Sequence, residues 1–190
     1  MPFKILTIII GLTFLSEAVC RFLAITIRNS NPPYHFFCCV EYLGFALIYA
    51  NLLKKESVRK VILYSIPIFI LYSLLNTLFV QNLFVFPSNS LLIEHIIITI
   101  FSLILFFQMA HYPAQVDVLR QDVFWFNTIV LIYFASDFLI WAFYNYYLRN
   151  KINNHFFVVF SYSINILFYV VLGLSIWLNI NKRKSVEWKN

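Results

Sequence analysis

Glycine is nearly missing from this chain: Gly11, Gly44 and Gly173 are the only three in 190 residues. Helices that approach through stripes of small residues need more of it, so packing through large aromatic side chains is expected instead. Charge is scarce too, at 12% of residues. Soluble domains carry about 25%, so a water-soluble fold is excluded and no separate soluble domain has room. Cysteine is limited to Cys20, Cys38 and Cys39, all inside apolar stretches, where thiols act as small hydrophobes. Adjacent Cys38 and Cys39 point in different directions on a helix and make a poor disulfide pair. A bridge from Cys20 to one of them is a minor alternative. No spacing of His, Cys or acids suggests a metal site, and no cofactor is expected.

What fills the chain is hydrophobic, 62% of residues, with Phe and Tyr abundant. Six long apolar runs cover residues 3–27, 34–53, 61–80, 91–110, 123–148 and 155–180. Each is about 20 residues or more, enough at 1.5 Å per residue to cross a ~30 Å hydrocarbon layer. Backbone groups in lipid must be satisfied within the segment, so the runs are expected to be helices. The expected fold is all-α: one polytopic transmembrane bundle of six helices. Pro32 and Pro33 read as a firm stop before the second helix. Residues 54–60 read as a charged turn, 111–122 as a loop that can hold a short interfacial helix, and 181–190 as a basic tail.

Lys and Arg set the orientation. With the N-terminus in the cytoplasm, Lys4, Lys54, Lys55, Arg59, Lys60, Arg120, Lys182, Arg183, Lys184 and Lys189 fall inside, and only Arg28, Arg149 and Lys151 outside. Both termini are therefore expected to be cytoplasmic, in a multi-pass protein of the inner (plasma) membrane. A signal peptide cut near Ser16 and Ala18 is the alternative; Glu17 and the unbroken apolar stretch to Ile27 argue against it. The net charge of +6 is not a nucleic-acid signal, because the basic residues flank membrane segments and suit anionic headgroups.

Given that orientation, the polar residues inside the runs share one side. Glu17 and Arg21 lie on the outer half of helix 1. His35 and Glu41 lie on helix 2, Asn76 near the outer end of helix 3, and Glu94 and His95 in the first turn of helix 4. Asp137 and Trp141 lie on helix 5, and Ser161 and Asn165 on helix 6. The inner half reads as almost entirely aliphatic and aromatic. Ionisable residues in lipid face a bundle interior or a wet cavity, so a polar pocket near the outer face is expected. Glu17 and Arg21, spaced i, i+4 with the acid first, are expected to pair, structurally or as an anion clamp. Glu41 needs a partner, for which Arg21 and His35 are candidates. Glu94 and His95 sit close enough to the interface for water to satisfy them, and a helix N-terminus also favours Glu94. Tyr133, Asp137, Trp141 and Tyr144 align on helix 5. An acid among rings suits a cation, although the aromatic residues also fit an interfacial belt.

The segment Asn31-Pro32-Pro33-Tyr34-His35-Phe36-Phe37 leading to Glu41-Tyr42, behind a first helix with Glu17, resembles small six-helix membrane proteins common in Bacteroidota. That resemblance implies a layout and no activity. Ser16 to Arg21 partly resembles the Glu-Glu-x-x-x-Arg motif of CAAX-type intramembrane proteases. Ser16 replaces the first Glu, however, which removes the water-activating acid. Size, helix number and termini are similar to the substrate-binding subunits of vitamin ECF transporters, but Ala18 and Ala24 do not reproduce their Ala-x-x-x-Ala surface.

Three functions follow. The first is a binding module whose outer pocket takes a small molecule or ion for sensing or uptake, with a cytoplasmic or membrane partner. The second is a homo-oligomeric effector or pore of the defence or toxin type, whose polar residues would line the oligomer interface. The third, an intramembrane enzyme, is the weakest, because no spacing pairs a nucleophile with a base. Lipid is the one partner the composition requires.

Overall fold

A computed structural model describes residues 2–111, 121–150 and 159–174, all of them helix, turn or connecting loop, with no strand among them. Five long helices run in order: α1 (Pro2–Thr26), α2 (Pro32–Leu52), α3 (Glu56–Phe79), α4 (Ser88–His111) and α5 (Asp122–Arg149). A shorter apolar helix, α6 (Val159–Leu174), completes the bundle. The basic tail, the central part of the 111–122 loop, and the ends of the sixth run lie outside the described residues.

Length and apolar composition make α1 to α5 membrane spans. The chain is a multi-pass integral membrane protein, a transmembrane helix bundle. Its outer surface agrees. Phe14, Phe22, Val61 and Phe79 all stand more than half exposed. In water such a surface would aggregate, whereas lipid is its natural solvent.

α2 is the hub. It packs against α1, α3 and α4, while α4 packs closely against α5. The largest fully buried side chains come from α2 (Tyr42, Phe45, Tyr49), α3 (Phe69), α5 (Phe134) and α6 (Phe168). Their rings interlock. Tyr42 stacks on Phe69 at 4.1 Å, and Tyr133 on Phe168 at 3.9 Å. Phe45 meets Phe134 edge-on at 5.0 Å. This is the packing that scarce glycine and plentiful Phe and Tyr imply. Gly44 is the exception: a Cβ there would lie 2.5 Å from the Ile9 side chain, so α1 crosses α2 closely at that point.

Two boundaries differ from the sequence expectation. Pro32 and Pro33 begin α2 instead of preceding it, because the first helical turn needs no N–H donor. α3 starts at Glu56, which absorbs most of the supposed charged turn; Glu56 and Lys60 then pair at 2.9 Å one turn apart on its exposed face.

Candidate functional site

Antiparallel neighbours alternate direction, so the end of α1, the start of α2, the end of α3, the start of α4, the end of α5 and the start of α6 share one end of the bundle. A cavity of about 200 Å³ opens there and reaches down to Thr13 and Glu41. Every helix except α3 contributes to its wall.

Asp137 on α5 anchors the wall and is only 2% exposed. Its Oδ1 accepts the Ser161 hydroxyl from α6 at 2.6 Å. Its Oδ2 accepts the Trp141 indole N–H at 2.7 Å, one turn along α5. His95 on α4 brings Nε2 to 3.3 Å from Oδ2, an ion-pair distance that does not meet hydrogen-bond angles. The other ring nitrogen settles the tautomer. Nδ1 lies 2.7 Å from the Leu91 carbonyl, which only accepts, so Nδ1 carries a proton.

Glu41 on α2 is 4% exposed and faces the cavity. Its Oε1 accepts the Tyr169 hydroxyl from α6 at 2.6 Å, and its Oε2 has no partner among the described residues. Neither Arg21 nor His35 serves it, contrary to the sequence expectation. Tyr169 was missed because a tyrosine in an aromatic-rich run carries no signal of its own. Asn165, one turn earlier on α6, donates to the Tyr133 hydroxyl at 2.9 Å and completes the α5–α6 wall.

The expected Glu17–Arg21 pair does not form. Glu17 accepts weakly from the Tyr34 hydroxyl across the α1–α2 contact, at 3.4 Å. Arg21 is exposed, and no ion pair joins the two among the described residues. A phenol already in place on α2 turns the carboxylate inward to the cavity, whereas Arg21 keeps its long stem on the lipid-facing side.

His35 is buried but does not line the cavity. Its Nε2–H donates to the Val85 carbonyl at 2.8 Å, and Nδ1 meets the Thr77 hydroxyl at 2.8 Å. Asn29 and Asn31 donate to the Phe84 carbonyl at 3.0 and 2.8 Å. These bonds pin the α3–α4 loop so that Phe86 covers the mouth, stacked on Trp141 at 4.8 Å and near Tyr34 at 5.3 Å. Asn76 is likewise removed from the cavity. It bonds Gln81 at 3.0 Å and Ser90 at 3.2 Å, which ties the end of α3 to the start of α4.

Glu94 and His95 are not at a wet interface. Both are fully buried, 0% and 1% exposed, because α4 begins at Ser88 and the pinned loop folds over its first turns. Neither Glu94 oxygen has a hydrogen-bond partner among the described residues, and Glu94 does not line the cavity. All three cysteines are free.

The opposite end of the bundle is not purely apolar. There Asn127 accepts from Tyr49 at 2.9 Å and from the Ser102 hydroxyl at 2.9 Å, and donates to the Ser102 carbonyl at 3.0 Å. A lone Asn near the start of the fifth run was the only clue to it.

The described residues hold no group of three or more His, Cys, Asp or Glu suited to a metal ion. Chemically, the cavity combines two partly satisfied carboxylates, one close acid–imidazole pair and a ring-lined mouth. No protein-family model, curated protein or solved structure matches the chain.

Proposed function

We propose that this membrane protein binds a small molecule or ion in the cavity, for sensing or for uptake. The observation that carries this reading is Glu41, a buried carboxylate at the floor of a cavity whose second oxygen has no hydrogen-bond partner among the described residues. Structural polar groups in membrane bundles are normally satisfied by neighbouring helices, and incompletely satisfied ionisable groups mark ligand or ion sites. The cavity is smaller than the ~300–1,000 Å³ common for drug-sized ligands, which suits a compact solute.

The Lys and Arg asymmetry supports placing this end on the outer face of a bacterial inner membrane, with both termini in the cytoplasm. The clustering within one chain weighs against an oligomer-lining role. Glu41, His95 and Asp137 are buried inside the single bundle, without help from a second copy.

Reconstituted protein screened against small water-soluble solutes and ions tests the reading. At least one is expected to raise the thermal unfolding midpoint of the native chain, with the shift lost in Glu41→Gln and Asp137→Asn. A folded protein whose midpoint responds to no solute, or responds equally in both variants, would contradict it.

A further inference from the structure

Among the described residues, three of the four charge-bearing side chains that line the cavity are carboxylates. Its acidic and basic lining consists of Glu17, Glu41, His95 and Asp137, with no Lys or Arg among the described residues. Asp137 lies 3.3 Å from His95 Nε2 and already accepts from Ser161 and Trp141. Glu17 and Glu41 are left. An anion entering here would meet carboxylates and, among the described residues, no Lys or Arg.

Above Glu41 the wall turns aromatic, with Tyr34, Phe86, Trp141 and Tyr144 around the mouth. Ring faces attract a cation within ~6 Å of their centroids, most strongly when water is excluded. A hard metal ion would need six or more oxygens drawn close together. This cavity offers rings and separated carboxylates, and its described residues contain no metal-suited cluster. A buried carboxylate is stable when its charge is matched.

Building on the pocket reading, we infer that the ligand class is a small organic cation, an alkylammonium of choline size or less. Its positive head sits at Glu41, with Glu17 as the second carboxylate. Its alkyl groups lie against Trp141 and the mouth rings. Asp137 is a positioning residue: it holds the Trp141 indole by its N–H and does not itself contact the cation.

The test titrates the full chain in lipid nanodiscs with choline, with ethylammonium, with the uncharged choline isostere 3,3-dimethylbutan-1-ol, and with acetate. The readouts are the unfolding midpoint and the tryptophan emission that Trp141→Phe removes. The inference expects saturable binding of choline or ethylammonium and at least tenfold weaker binding of the isostere. It also expects at least a tenfold loss of cation affinity in Glu41→Gln, with Glu17→Gln as the second carboxylate variant should Glu41→Gln not fold. Isostere binding as tight as choline, or binding of acetate alone, overturns the cation class and leaves the pocket reading standing. If no probe of any charge binds the folded chain, the cation class falls. If the wider solute screen is silent as well, the pocket reading falls with it.

Discussion

Asn127 and Glu41 sit near opposite ends of one core, and each is a polar side chain that the bundle has buried. Asn127 is matched: its oxygen receives two hydroxyls and its amide reaches a carbonyl, all from neighbouring helices. Glu41 is half matched, with Tyr169 on one oxygen and the cavity at the other. The first arrangement holds α2, α4 and α5 together. The second leaves bonding capacity open where a solute can reach it. Burial alone therefore does not separate a structural polar residue from a functional one; the partners of each atom do.

Perturbing the matched and unmatched groups should give different outcomes. The largest effect is expected from Asp137→Leu, which leaves His95, Trp141 and Ser161 facing an apolar side chain. Breaking a buried pair costs about 3–5 kcal/mol, so denaturant unfolding in micelles should show a loss of at least ~3 kcal/mol. Gly44→Ala pushes a methyl into Ile9 and should cost about 1–3 kcal/mol in the same assay, unless α1 shifts outward. Asn127→Leu should cost about 1–2 kcal/mol, because the Tyr49 and Ser102 hydroxyls lose their acceptor. Its solute response should be unchanged. Tyr169→Phe should cost less, about 0.5–1.5 kcal/mol, and should alter solute affinity because Glu41 loses its one fixed donor. Lys60→Ala breaks an exposed pair and should change stability by a few tenths of a kcal/mol at most.

The sequence made the helices and the polar end legible. Long apolar runs set the spans, and alternating helix direction puts Glu17, Glu41, Asp137, Trp141 and Asn165 at one end. Helical periodicity also showed that Asp137 and Trp141 share a face. It did not show which helix lies opposite. For that reason Glu17 was matched to Arg21 on its own helix, when the nearer donor is Tyr34 on α2. His35 reads from its place on α2 as a candidate partner for Glu41, yet its ring is occupied in pinning the α3–α4 loop. Glu94 looked interfacial because a loop of about ten residues reads as open; the Asn76, Gln81 and Ser90 bonds fold that loop over the helix start. Each miss is a tertiary contact between segments far apart in sequence, which one-dimensional spacing does not encode.

The most direct test compares choline affinity in three forms of the full-length protein: native, Glu41→Gln and Asn127→Leu. A tenfold or greater loss in Glu41→Gln, with Asn127→Leu within about twofold of native, is the outcome predicted here. Equal losses in both variants, or none in either while native protein binds, would mean that the two ends do not differ in kind, and the division between structural and ligand-facing polar groups would be wrong.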